Sequence, residues 1–333
     1  MYLRILRSMS ILITGGAGYI GCQTAKRLSE LGRELIVLDN LSTGRRDKAR
    51  WGSFVKGEIG DKLLVRKVLR EHRVSAVVHL AASVHVGESI ERPDLYFENN
   101  TFATKVILDA MREEGVQRFL FASTCSVYGN AVSGTVGEKE AVAPVSPYGE
   151  SKLAVERMLP WYAQAWGLGW IALRYFNVAG ADDDLGEDIA LSKRIVPRAL
   201  HAALALNQTL RVYGTTFGTR DGSAIRDYVH VDDIARANTC ALGWLEAGNS
   251  GATINIGAGK GTSVLEIISA IEKETGKKVP CELHPARKGD PGHVIADINQ
   301  ARTVLGWKPQ SSGIENIITS LARSRELRVA SLV

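Results

Sequence analysis

An apolar triplet, Ile11-Leu12-Ile13, leads into Gly15-Gly16-Ala17-Gly18-Tyr19-Ile20-Gly21, and Ile20, Thr24, Leu28 and Leu31 then fall on one helical face. A buried strand, a turn with glycines at Gly15, Gly18 and Gly21, and a helix must therefore follow one another. Each glycine has a physical task. One permits the tight turn, one lets a pyrophosphate approach the backbone, and one lets helix and strand pack closely. The helix N-terminus then faces negative charge. The next apolar run, Leu35-Ile36-Val37-Leu38, ends at Asp39. A carboxylate at a strand end can accept hydrogen bonds from ribose hydroxyls and repels a 2′-phosphate. Glycine triplets alone are weak signals, because turns collect glycine. Strand, turn, helix and Asp39 together predict a dinucleotide site that prefers NAD to NADP.

The same rhythm continues. Strands are expected at 53–55, 75–80, 118–122 and 170–174, with helices between them. Alternating strands and helices of this kind build an α/β fold, a doubly wound parallel sheet covered on both faces. Such sheets bind ligands beyond the carboxyl ends of their strands. After Asn177 the rhythm breaks. Residues 180–187 read as a loop, a helix is expected near 191–206 and a strand at 253–256, and Ser263 with Glu266 forms a capping box for a helix near 264–275. The expected division is a dinucleotide-binding part over 10–177, which carries the catalytic residues, and a smaller mixed α/β part over 178–333. The second part is mainly substrate-binding, with segments able to return to the first sheet.

Composition excludes several classes. A net charge of +5 is small for 333 residues, and the dense basic cluster of Arg45, Arg46, Lys48 and Arg50 lacks an aromatic-rich basic repeat. It reads as a solvated loop, not a nucleic-acid surface. Cys22, Cys125, Cys240 and Cys281 show no CxxC spacing, and the histidines show no HExxH. No metal site and no disulfide framework is expected, which fits a reducing, cytoplasmic setting. No stretch approaches about 18 uninterrupted apolar residues, so no membrane span is expected and the chain reads as soluble. Met1 to Met9 is too short for a signal peptide, and either Met1 or Met9 serves as a start, since Ser10 leads directly into the first strand.

A second chemical mark lies near the middle. Tyr148 and Lys152 stand four residues apart behind Pro147, which suits a helix start. Both then share one helical face. A free tyrosine has a pKa of about 10. A nearby ammonium and a positive nicotinamide ring favour the phenolate. Such a tyrosine can take a hydroxyl proton while hydride leaves the same carbon. Among the nine tyrosines, Tyr148 alone has a lysine four residues on. Without the glycine turn, a surface helix pair would be the simpler reading.

With these marks in place, the chain resembles the extended short-chain dehydrogenase/reductase family, and within it the UDP-sugar 4-epimerases, from Ile11 to about Pro309. The resemblance rests on the Gly15–Gly21 turn, Asp39-Asn40, His79-Leu80-Ala81-Ala82 with Val86-Gly87-Glu88-Ser89, and Glu98-Asn99-Asn100. It continues through Ser123-Thr124, Val127-Tyr128-Gly129, the Tyr148–Lys152 pair and Arg174-Tyr175-Phe176-Asn177. Thr219-Arg220-Asp221-Gly222, Arg226-Asp227-Tyr228-Val229-His230-Val231, and Arg287 with Gly289-Asp290 complete it. It implies a Rossmann sheet and the reversible C4 epimerisation of UDP-glucose and UDP-galactose through a transient 4-keto sugar, with NAD as cofactor.

The resemblance also assigns roles. Tyr148, Lys152 and Thr124 would be catalytic, with the Thr124 hydroxyl bonded to the reacting sugar oxygen. NAD would be held by Gly15, Gly18, Tyr19, Ile20 and Gly21, by Asp39, Asn40, Glu58 and Ile59, and by Leu80, Ala81, Ala82, Asn99 and Tyr175. Thr124, Tyr148 and Lys152 would also touch it, Lys152 through the nicotinamide ribose. The UDP-sugar would meet Thr124, Tyr148, Asn177, Arg194, Val212, Tyr213 and Val294. Arg226 and Arg287 would clamp its diphosphate and Asp290 would bond its ribose. A homodimer is implied, paired through the helix near 94–113 and the one carrying Tyr148.

Some positions depart from the family pattern. Glu58 stands where aspartate is common, and Val84 where a lysine often meets the cofactor phosphates. Arg194 replaces a common asparagine or histidine. Val294 is small at a place where bulk limits the sugar's 2-substituent, so N-acetylated sugars are an alternative, and UDP-pentoses stand as a separate one. A dehydratase or decarboxylase is a weaker rival, because Cys125 and Ser126 follow Thr124 where dehydratases carry an acidic pair. A non-catalytic NAD-binding protein would have no need of Thr124, Tyr148 and Lys152 together.

Overall fold

The apolar runs become strands that are buried along their whole length, Ser10–Thr14 and Leu35–Asp39 among them. In the computed structural model the described residues are 9–130, 134–187, 192–205, 208–287 and 290–324. Met1 and Gly289 lie outside them. The chain divides into two compact units. The first comprises Met1–Ser123, Ser146–Ala172 and Ala241–Ala252, the second Thr124–Val145, Leu173–Cys240 and Thr253–Val333.

The large sheet falls mostly within the first unit. Its strand order is Ser53–Lys56, Leu35–Asp39, Ser10–Thr14, Val74–His79, Arg118–Thr124, Gly169–Tyr175 and Ala252–Ile256. The first five of these pair in parallel, with Ile11 opposite both Leu35 and Ala76. Continuous apolar strands form such a sheet because helices cover both faces and leave no polar side. The helix Lys62–Glu71 turns Val65, Val68 and Leu69 inward, and Ala103–Glu114 does the same with Ile107, Leu108 and Met111. Each such side chain contributes about 1.5–3 kcal/mol by leaving water.

The single helix expected near 94–113 is broken into three pieces. Pro93–Tyr96 is α-helical, Phe97–Phe102 is a π-helical turn, and Ala103–Glu114 is α-helical again. The wide turn has an anchor. The Asn100 side chain accepts from Ser83 N and donates to Ser83 O, tying the helix to the loop after Val74–His79. π-turns of this kind collect at functional sites.

The second unit holds a mixed sheet in the order Gly261–Ser263, Ile225–His230, His293–Ala296 and Gly134–Val136, with Asn177–Ala179 also paired to Ile225–His230. Leu210–Tyr213 and Cys281–His284 pair in parallel in a separate two-stranded sheet. Helices Ile195–Leu204, Val264–Thr275 and Ile314–Arg323 enclose a core of Val196, Leu200, Ile267, Ile271 and Leu321. The expected ends of the first helix, 191 and 206, lie outside the described residues. The capping box is present, with Ser263 and Glu266 bonding each other's backbone amides. No helix among the described residues is long and apolar enough to cross a membrane.

Candidate active site

The glycine turn is shaped by contacts that a side chain would destroy. Gly15 has φ +70°, and a Cβ there would lie 2.6 Å from Ala81 N. A Cβ on Gly21 would lie 2.0 Å from Gly15 O, and one on Gly16 would lie 2.7 Å from a Val37 methyl. The helix Tyr19–Glu30 starts with no side-chain cap and no acid in its first turn. Its first internal bond runs from Cys22 N to Gly18 O, so the amides of Tyr19, Ile20 and Gly21 point out of the helix end. This cradle fits a pyrophosphate, because a bare backbone and a helix N-terminus face the same place.

Asp39 does more than the sequence predicts. One of its oxygens accepts from Ala17 N at 3.0 Å and the other from Leu41 N at 2.8 Å. The carboxylate therefore holds the glycine turn in shape while its remaining lone pairs can meet a ribose. Asn40 donates to Glu58 at 3.0 Å, so these two expected cofactor residues are brought together. Ile59 is buried in the core, and Leu80 and Ala81 form the backbone against which Gly15 packs. Asn99 donates to the Ser83 hydroxyl at 3.0 Å.

Tyr148 and Lys152 lie on the helix Pro147–Trp166, which starts with Pro147 and is capped by Ser146 accepting from Gly149 N. Tyr148 is half-buried, and its ring meets the edge of Tyr96 at 6.3 Å and 82°. Tyr96 is itself fully buried and donates to Glu88 at 2.7 Å. Lys152 is 2% exposed, donates to Ala122 O at 2.9 Å and lies 4.8 Å from the centre of the Phe121 ring. Burial pushes its ammonium down to about 7, and the charge of Glu156 works against that fall. His79, also buried, is pushed down to about 3 by desolvation and then by Lys152. Its ring nitrogens lie 2.7 Å from the Thr14 hydroxyl and 2.9 Å from the Thr104 hydroxyl. It is therefore a neutral strut under the lysine.

The second unit holds the remaining candidates. Thr124 closes the strand Arg118–Thr124 and caps the turn Cys125–Tyr128, its hydroxyl donating to the Ser126 hydroxyl and accepting from Ser126 N, both at 3.2 Å. Cys125 is half-exposed as a residue, but its thiol is buried and pushed up to about 12. No acid–base pair follows Thr124. Arg226 bonds Asp290 at 2.5 Å, and Arg287 stacks on the Tyr213 ring at 4.2 Å. Asn177 donates to Asp227 O, and Arg194 faces Glu187 at 3.6 Å. Val294 is half-buried and pairs with Arg226 in register. Two candidates turn inward: Val212 is buried in the core, and the Tyr175 hydroxyl is taken by Asn238 at 2.5 Å.

Several supporting residues were missed from the sequence. Arg174 donates to the Tyr128 hydroxyl, which donates to Asn255, so part of the family pattern is a buried polar brace. Asn100, Ser83 and Ser151 form another, since Asn100 also donates to the Ser151 hydroxyl and Ser151 donates to Tyr148 O. The Ser123 hydroxyl donates to Glu156, which is buried. Glu156 had one readable signal, since it stands four residues after Lys152 and so shares its helical face.

A family model described as the NAD dependent epimerase/dehydratase family matches residues 11–257. A UDP-glucose 4-epimerase of Lacticaseibacillus casei is 43% identical over 316 residues, covering 93% of this chain and 95% of its own. The crystal structure of UDP-glucose 4-epimerase from Brucella ovis in complex with NAD superposes with a TM-score of 0.91 at 42% identity, over 94% of this chain and 97% of that one. That of the UDP-glucose-4-epimerase from Stenotrophomonas maltophila, with bound NAD and formylated UDP-arabinopyranose, gives 0.92 at 34% identity, over 98% and 99%.

Proposed function

This chain belongs to the NAD dependent epimerase/dehydratase family, and from that premise we propose that it interconverts UDP-glucose and UDP-galactose at C4 with NAD as its cofactor. One observation carries the reading within that family. Lys152 is buried against the strand before Thr124, one helical turn from a half-buried Tyr148, and no acidic pair follows Thr124. That set can move a proton but cannot eliminate water. The relatives named above, UDP-glucose 4-epimerases at 34–43% identity, support the same substrate class.

NAD, when bound, supplies the acceptor for the C4 hydride and its donor on return. The glycine turn and the amides of Tyr19, Ile20 and Gly21 would hold its pyrophosphate, Asp39 and Asn40 its adenosine ribose, and Asn99 and Lys152 the nicotinamide end. Tyr148 takes the proton of the 4-hydroxyl, with the Thr124 hydroxyl bonded to the same oxygen, and gives a proton back when the sugar's other face is presented. The Lys152 ammonium favours the phenolate. Arg226, Arg287 and Asn177 anchor the diphosphate and Asp290 the uridine ribose. The anchor lets the 4-keto sugar turn without leaving. In this reading residues 10–177 carry NAD and the proton chemistry, and 178–333 mainly the substrate.

A second reading, epimerisation of UDP-N-acetylhexosamines, is favoured by the small side chain of Val294 beside Arg226; UDP-pentoses are a further alternative that the UDP-xylose arm below tests. We also propose a homodimer. Phe97, Phe102 and Trp161 expose 43%, 55% and 70% of their surface on the Phe97–Glu114 and Pro147–Trp166 segments, which suits burial by a second copy. Four free cysteines suit a reducing compartment such as the cytoplasm.

The purified protein is to be given UDP-glucose, UDP-N-acetylglucosamine and UDP-xylose separately and the epimers resolved. UDP-galactose is the expected product of the first, and its absence overturns the reading. Tyr148→Phe is expected to slow turnover by about 10²–10⁴-fold while NAD stays bound. Turnover like that of the parent protein would remove Tyr148 from its role.

A further inference from the structure

Lys152 has a difficult position for a charge. It is 2% exposed, and its visible partners are a carbonyl, Ala122 O, and the face of the Phe121 ring. An ammonium so desolvated loses its proton readily. Yet the proposed reaction needs the ammonium, both to favour the Tyr148 phenolate and to donate to a ribose hydroxyl.

One turn further along the same helix stands Glu156, 7% exposed. It accepts a hydrogen bond from Ser123, the neighbour of the residue whose carbonyl holds Lys152. The strand segment Ala122-Ser123 thus fixes the lysine with one residue and the glutamate with the next. On the helix, Tyr148, Lys152 and Glu156 follow at intervals of four and line one face. The other titratable group facing Lys152 is His79, from the strand Val74–His79, and it is held neutral between Thr14 and Thr104. The strand Arg118–Thr124 contributes Phe121 and Ala122 to the contact, neither of them charged. Among these groups Glu156 carries the opposite charge.

We propose that Glu156, oriented by Ser123, is a positioning residue that keeps the Lys152 ammonium charged and in place for Tyr148. This rests on the epimerase reading above. A buried carboxylate is costly and is retained where it has a partner. Here its hydrogen-bond partner is Ser123, its charge acts on the one lysine the reaction uses, one turn back on the same helical face, and the chain of influence runs Ser123, Glu156, Lys152, Tyr148.

The test uses the full chain with its NAD bound, carrying lysine labelled with 15N at Nζ. Lys152→Met assigns the Lys152 resonance. In Glu156→Gln the Lys152 titration midpoint is expected to fall by about one pH unit or more, the size of losing a close opposite charge. The alkaline limb of kcat against pH should move down by the same interval. Turnover then drops about tenfold above that limb and changes little below it. Glu156→Asp should restore part of both shifts. An unmoved Lys152 midpoint, or an equal loss of turnover at every pH, overturns the proposal. If Glu156→Gln does not fold, Ser123→Ala carries the test. The same downward shift at smaller size supports the proposal, and no shift in Ser123→Ala overturns it. A midpoint that moves in a protein that epimerises no UDP-sugar sinks the epimerase reading and leaves the hold of Glu156 on Lys152 standing.

Discussion

The cofactor-type residues of the first unit and the substrate-type residues of the second are held in different ways. In the first, three central groups are tied to backbone: Asp39 to the amides of Ala17 and Leu41, Lys152 to Ala122 O, Gly15 against Ala81. In the second, the two arginines and Asp290 meet other side chains: Arg226 meets Asp290, Arg287 meets Tyr213. A backbone tie persists whether or not a ligand is present, so it suits a cofactor that stays. A pair of partly exposed side chains can exchange its partner for a diphosphate or a ribose and then re-form, which suits a substrate that comes and goes. The Arg226–Asp290 pair has that character, with side-chain exposures of 18% and 28%.

Breaking the backbone-tied region should do the most damage. Gly21→Ala places a methyl 2.0 Å from a carbonyl oxygen that cannot yield. A loss of about 3 kcal/mol, a Tm lower by about 4 °C, and protein that purifies without NAD are expected. Calorimetry and the nucleotide released on denaturation measure both. NAD-replete protein of unchanged Tm would show that the turn is not the cradle.

Breaking the side-chain pair should be milder and of another kind. Arg226→Met removes a charged hydrogen bond worth about 1.5–3 kcal/mol. KM for the UDP-sugar should rise by about 10–100-fold, with NAD content unchanged. If NAD is lost as well, the contrast between the two regions fails. The smallest effect sharpens the comparison within the first unit. Ser146→Ala deletes the cap of the helix that carries Tyr148, costing about 1 kcal/mol. Tm should fall by about 1.5 °C in a thermal scan with KM unmoved.

The strand runs, the glycine turn, Asp39 at its strand end, the Tyr148–Lys152 pair and the capping box were legible because each depends on neighbours within a turn or a strand. The break at Phe97–Phe102 was not, because it answers to Ser83, on another segment. Nor was the inward turn of Val212, since an apolar residue in a short strand has two faces to choose from and only packing selects one.

What the sequence determined alone is the set of positions where local geometry admits one residue type. A turn needs φ above zero at Gly15, close packing needs no side chain at Gly21, and a shared helical face needs an interval of four. What the tertiary structure decided is the partner of each buried polar group. Ser123 reaches Glu156 across 33 residues, His79 reaches Thr14 across 65, and Tyr128 reaches Asn255 across 127. A buried donor must find an acceptor somewhere, but which one depends on the chain's long-range path, and no local pattern of residues encodes that path.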